Sequence, residues 1–218
     1  MKDKDIETIE EVFQFGGRRF VIKRVRNLDE MVNQVSDKMF AEDERLPYWA
    51  ELWPSSIALS RYLTEHRELI SGKTVLELGC GLGLTSLVLQ SMQPSRLVIS
   101  DYEKPALQAV HAHFKLNDLP QPESLLLDWR RPSIDDQFQR LVASDIVYEE
   151  RFFQPLIRLF KQVLQRGGLI ILAEPSRPVS KAFFSELADS GFVLEQQTEM
   201  VHQQGHEIHV GIHLIQRG

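Results

Sequence analysis

The chain has 218 residues, of which 43% are hydrophobic and 26% charged. That is the composition of an ordinary globular protein with one sizeable core. Twenty-five basic against 31 acidic residues leave a net charge of −6, which disfavours a nucleic acid or membrane surface as partner. The single cysteine, Cys80, excludes an internal disulfide framework and a multi-cysteine zinc site. The N-terminus carries charge and no apolar stretch of the kind a secretory leader needs, and no run approaches a membrane span, so a cytoplasmic protein is expected.

Two short apolar runs, Val12 to Phe15 and Arg19 to Val25, flank Gly16-Gly17 and predict a β-hairpin. Leu28, Met31, Val32, Val35 and Met39 recur at helical spacing and predict a helix from Leu28 to Phe40. The aromatic segment LPYWAELWPSS follows, with Pro54 and the serines opening a helix that runs to about Ile70. This divides the chain into an N-terminal extension, 1–45, packed on a main domain, 46–218.

Beyond Gly72 the pattern becomes regular. Strand-like runs occupy Thr74 to Leu78, Arg96 to Ser100, Ser124 to Leu127, Leu141 to Val147 and Gly168 to Ala173. Helices are expected from Leu82 to Met92, Pro105 to Leu116 and Phe152 to Leu164, with a weaker helical link between Arg130 and Arg140. Such alternation implies a parallel sheet, and fully apolar runs such as TVLEL imply strands covered on both faces. After a helix from Val179 to Asp189, a strand at Phe192 to Gln197 turns through HQQGH into EIHVGIHLI. That connection is too short for a parallel crossover, so the last two strands form a hairpin. The expected fold is α/β, a Rossmann-like doubly wound sheet of five parallel strands plus a C-terminal antiparallel hairpin.

The strongest local signal is VLELGCGLGLT, a buried strand running through a glycine-rich turn into a helix. Glycine lets a ligand lie against bare backbone, and the helix start offers free N–H groups to an anionic group. The dinucleotide fingerprint wants a glycine where this chain has Leu84, which argues against a nicotinamide-dependent oxidoreductase. Asp101, at the end of the second parallel strand, suits two ribose hydroxyls. Asp128 after the third strand suits an adenine amine, and Trp129 a purine face. Glu77 suits the ammonium of a cofactor. Gly79, Cys80, Gly81 and Tyr102 complete these turns, Cys80 as a small filler. Each residue also has a plain structural reading: a tight turn, a helix cap for Asp101, a core position for Trp129. The seven histidines show no three-ligand spacing, so no metal is expected.

Three stretches resemble the class I S-adenosylmethionine-dependent methyltransferases, and more narrowly methyltransferase family 16, a protein-lysine methyltransferase branch. They are YWAELWPSSIALSRYL, LELGCGLGLTS and Ser144-Asp145-Ile146-Val147-Tyr148-Glu149, and the resemblance covers roughly Trp49 to Pro175. It implies S-adenosylmethionine as cofactor, lined by Trp53, Glu77, Gly79, Gly81, Asp101, Trp129 and Ser144. It implies Asp145 and Tyr148 facing the substrate, a lysine side chain of a protein. Asp145 can accept hydrogen bonds from an amine, and Tyr148 can add a ring face. One tension arises: a nearby carboxylate raises a lysine pKa, yet only the neutral amine attacks a methyl group. A helix-capping Asp145 and a packing Tyr148 are the structural alternative. Ile146-Val147 stand where base-modifying amino methyltransferases carry two prolines, against a base-flipping enzyme. A small-molecule N- or O-methyltransferase and a non-enzymatic scaffold are the other readings of the fold. The basic run Arg18, Arg19, Lys23, Arg24 and Arg26 either protects a strand edge or docks on an acidic surface.

Overall fold

The computed structural model of the chain describes residues 7–32, 47–203 and 205–218. Two strands, β1 (Thr8–Phe15) and β2 (Arg18–Val25), form a separate hairpin, followed by α1 (Leu28–Val32). The remainder of the helix expected to Phe40, with Val35 and Met39, lies outside the described residues, as does the boundary at residue 45. The main domain holds α2 (Pro54–Glu65), β3 (Thr74–Leu78), α3 (Leu84–Ser91), β4 (Arg96–Asp101), α4 (Lys104–Leu116), β5 (Glu123–Leu126), β6 (Phe138–Ser144), α5 (Phe153–Val163), β7 (Leu164–Glu174), α6 (Ser180–Asp189), β8 (Phe192–Gln203) and β9 (His206–Arg217).

The seven strands β3 to β9 form one sheet in the order β5-β4-β3-β6-β7-β9-β8. All pairings from β5 to β7 are parallel, and β9 runs antiparallel to both β7 and β8. The expected terminal hairpin is present, and its second strand is the one inserted next to β7. The chain winds outward from β3 to β5, then crosses to β6 on the other side of β3. A crevice opens where winding reverses, at the carboxyl ends of β3 and β6.

Side-chain alternation explains why the strands are apolar throughout. Val75 and Val142 face one layer with α2, α3, α4 and the hairpin, whereas Leu76, Leu78, Leu141 and Ala143 face the other with α5 and α6. One expected helix is missing. The link between β5 and β6 is irregular, and Phe138–Arg140 belong to β6. Pro132 disfavours a helical predecessor, and the Asp128 carboxylate accepts the Arg130 N–H at 2.9 Å, turning the chain away from a helix. Leu127, Ile134 and Phe138 are buried and hold the link to the sheet. The helix expected to reach Ile70 ends at Glu65, with a short 3-10 turn at Arg67–Leu69.

The hairpin docks through Phe15, Phe20 and Ile22, all within the core. Burying a side chain of this size contributes about 1.5–3 kcal/mol. His113, itself buried, links the hairpin to the glycine loop: its Nδ1 lies 2.8 Å from the Leu82 carbonyl oxygen and its Nε2 2.9 Å from that of Lys23. In the basic run, Arg24 pairs with Glu11 and Arg26 with Glu7.

Candidate active site

The loops that leave β3, β4, β5 and β6 converge on a cleft at the crevice. Gly79 and Gly81 form its floor. Gly79 has φ +68°, and a Cβ there would meet Ile146 at 3.0 Å and the Trp129 ring at 3.5 Å. Only bare backbone fits between those two loops. Gly83 closes the turn at φ +80°, where a Cβ would strike Val110 at 2.6 Å, so α3 packs directly on α4.

Asp101 is 7% exposed and lines the cleft. Its Oδ2 accepts the Gly81 N–H and its Oδ1 the Glu103 N–H, each at 2.9 Å. Burial pushes its carboxyl up to about 6, against the pull of those N–H groups. Each oxygen keeps lone-pair capacity for a further donor. The Gly81 N–H is thus engaged by Asp101, where the sequence suggested that loop N–H groups meet a ligand.

Trp129 stands edge-on to Phe152, with ring centroids 5.6 Å apart. Its indole Nε1 is buried with no hydrogen-bond partner, one of two such atoms among the described residues. Asp128 forms an ion pair with Arg130, at 2.9 Å from Nε to Oδ1, and Arg130 lies over the Tyr102 ring. The Asp128 carboxylate therefore works in part within its own turn.

At the end of β6, Ser144, Asp145 and Tyr148 also line the cleft. Asp145 has φ +59°, an uncommon conformation outside glycine, and its N–H donates to the Ala173 carbonyl at 2.8 Å. Its carboxylate forms an ion pair with Arg177 and accepts the Ser55 hydroxyl at 3.3 Å. Burial raises the Asp145 carboxyl, and the two donors only partly oppose it. Tyr148 stands edge-on to Tyr48 at 6.0 Å and to Phe152 at 6.2 Å, and Tyr48 to Trp53 at 6.2 Å. These rings make one aromatic wall beside Asp145. Burial and the nearby carboxylates of Glu149 and Asp101 push the Tyr148 hydroxyl up to about 12.

Of the residues singled out from sequence, Trp53, Gly79, Gly81, Asp101, Tyr102, Asp128, Trp129, Ser144, Asp145 and Tyr148 come together around this cleft. Glu77 and Cys80 do not line it. Glu77 is 2% exposed beneath the glycine loop and accepts the Ser86 hydroxyl of α3, because strand alternation turns its side chain toward that helix layer. Cys80 packs in the core, and its N–H donates to the Ser100 carbonyl at 3.0 Å. Sequence reasoning missed Tyr48, Ser55 and Phe152, while Arg177 ends the Glu174-Pro175-Ser176-Arg177 run after the fifth parallel strand, which in sequence reads equally as part of an acceptor pocket or as a plain loop. The first two lie in the aromatic segment already noted, whereas Arg177 reaches the site only because β6 and β7 are neighbours. Trp49 sits in a short 3-10 turn, and Trp53 is extended ahead of α2.

The residues present fit S-adenosylmethionine. The side-chain-free floor at Gly79 and Gly81 leaves backbone for its amino-acid end. Asp101 retains acceptor capacity toward a ribose diol, and Trp129, whose buried Nε1 has no partner, lines the cleft that a base would enter.

Comparison with known proteins agrees. The chain is 32% identical over 133 residues to the electron transfer flavoprotein beta subunit lysine methyltransferase of Mus musculus, covering 61% of this chain and 52% of that protein. It is 27% identical over 151 residues to the protein N-terminal and lysine N-methyltransferase EFM7 of Candida albicans, covering 58% and 57%. The chain spans about half the length of the curated relatives it matches. In structure it is similar to the Thermus thermophilus 16S rRNA N2 G1207 methyltransferase bound to AdoMet and guanosine, with TM-score 0.65 and 14% identity over 97% of this chain and 51% of that one. It is also similar to the magnesium protoporphyrin IX methyltransferase of Synechocystis with bound SAM, with TM-score 0.58 and 17% identity over 84% and 85%. At these identities the structural likeness speaks for the fold. The family described as lysine methyltransferase matches residues 36–190, most of the chain, and the chain belongs to that family.

Proposed function

We propose that this protein is an S-adenosylmethionine-dependent protein-lysine N-methyltransferase that acts in the cytoplasm. The observation that carries the reading is Asp145, a buried carboxylate held at the cleft beside the Tyr48, Tyr148 and Trp53 rings. An amine with a long aliphatic stem suits that surround: the rings take the stem and any residual positive charge, and the carboxylate takes an N–H. The relatives named for the electron transfer flavoprotein beta subunit make that protein the first acceptor to try.

When bound, S-adenosylmethionine supplies a sulfonium methyl group, whose transfer forms an N–C bond as the C–S electron pair stays on sulfur. The chain's own work is alignment, which alone can remove several kcal/mol of barrier. Asp101 would hold the ribose, Trp129 and Asp128 the purine, and the Gly79–Gly81 backbone the amino-acid end. Asp145 orients the acceptor nitrogen, while the aromatic wall screens it from water.

The test is transfer of labelled methyl from S-adenosylmethionine into a protein extract, followed by acid hydrolysis. Labelled methyl-lysine is expected from the wild-type protein, and at least ~100-fold less from Asp145→Ala with unchanged affinity for S-adenosylhomocysteine. Label confined to small molecules would overturn the protein acceptor and leave a small-molecule methyltransferase.

A further inference from the structure

Arg177 is bonded to the carboxylate expected to meet the acceptor. Its main chain is fixed on both sides: its N–H donates to Glu174 Oε2 at 3.1 Å, and its carbonyl accepts the Ser180 hydroxyl at 2.6 Å and the Ser180 N–H at 3.0 Å. The preceding Ser176 has φ +55°, which turns the chain back toward the cleft. The guanidinium lies 5.9 Å from the Trp53 ring centroid and forms an ion pair with Asp145. The Arg177 side chain is 30% exposed and that of Asp145 only 5%, so the cation caps the buried anion.

We propose that Arg177 keeps the acceptor amine in its neutral, nucleophilic form by cancelling the charge of Asp145, so that Asp145 orients the amine without trapping it as an ammonium. This rests on the lysine methyltransferase reading of the site. An unpaired carboxylate would stabilise the ammonium, whose nitrogen has no lone pair. A paired one still accepts an N–H hydrogen bond, while the adjacent guanidinium repels a second cation.

The other charged groups around Asp145 do not replace Arg177. From β7, Glu174 adds negative charge, with His213 Nε2 at 3.3 Å. From α2 comes only the Ser55 hydroxyl. From the loop after β6, Glu149 is paired with Arg151, and Tyr148 is an acid weakened by its surroundings. Asp101 lies across the cleft, and Asp128 is paired with Arg130. Arg177 is a positioning residue in this scheme, acting through Asp145.

The experiment compares the pH dependence of kcat for wild type, Arg177→Gln and Arg177→Lys. The acceptor probe is unmethylated electron transfer flavoprotein beta subunit, replaced by a protein extract if it takes no label. Arg177→Gln is expected to lose up to about tenfold at pH 7.5 and to regain most of it by pH 9.5, its rising limb displaced upward by about one unit. Arg177→Lys, which keeps the charge, is expected to retain the wild-type limb. S-adenosylhomocysteine affinity and melting temperature verify that each variant is folded. A loss in Arg177→Gln that pH does not restore, or no loss, overturns the proposal while leaving the lysine methyltransferase reading intact. Wild type that binds cofactor yet labels no lysine overturns that reading and the role of Arg177 with it.

Discussion

Asn117 clamps Val21 from both sides: its Oδ1 accepts the Val21 N–H at 2.7 Å, and its Nδ2 donates to the Val21 carbonyl at 2.8 Å. A single amide at the end of α4 thus mimics a neighbouring strand and pairs with β2 across 96 residues of sequence. A third bond, to the His113 carbonyl at 2.8 Å, fixes the amide to its own helix. Asn117→Ala should cost about 1–3 kcal/mol. Urea unfolding measures the loss, and trypsin should cut after Arg18 or Arg19 sooner than in wild type. Unchanged stability and cleavage would mean that the apolar contacts of Phe20 and Ile22 hold the hairpin by themselves.

Glu77 makes stability depend on pH. Desolvation pushes its carboxyl up to about 8, with the Ser86 hydroxyl opposing and Asp101 adding to the rise. A raised carboxyl pKa means that the folded state holds the proton more tightly than the unfolded one. The stabilisation is complete below the ordinary carboxylate range and is lost as pH climbs through about 8. Glu77→Gln, which keeps a neutral group of the same shape, should therefore melt about 3 °C or more above wild type at pH 8.5 in the cofactor-free protein, with the gap closing toward pH 5. A constant gap across that range would show that Glu77 does not titrate there.

Asp101 ties cofactor affinity to pH in the opposite sense. Its carboxylate is the acceptor on which a ribose diol depends, and burial raises its carboxyl to about 6. Affinity for S-adenosylhomocysteine should fall as pH drops through that value. Asp101→Asn should weaken binding about 10- to 100-fold at pH 7.5, the worth of hydrogen bonds to a charged acceptor, and should flatten the pH dependence. Isothermal titration calorimetry reads both quantities.

Local chemistry made much of the site legible. The glycine turn, the acidic residues after successive strands and the Asp-x-x-Tyr segment all sit at strand ends, where parallel sheets put their ligands. Glu77 does not line the cleft, because alternation along β3 turns its side chain toward Ser86 of α3, which the glycine loop by itself does not reveal. The helix expected between Arg130 and Arg140 failed for a local reason: Asp128 and Pro132 turn the chain before a helix can begin.

Period and spacing in the amino-acid chain were enough to determine alternating strands and helices, the terminal hairpin and the glycine turn with Asp101 and Asp128 after it, because these follow from local backbone and burial preferences, whereas Trp53, Ser144, Asp145 and Tyr148 followed from the resemblance to the family. Only the tertiary structure decided that β6 lies between β3 and β7, and hence that Arg177 and Ser55 meet Asp145. Strand order is a choice among long-range pairings whose apolar runs are chemically alike, so it is settled by how all the layers pack together.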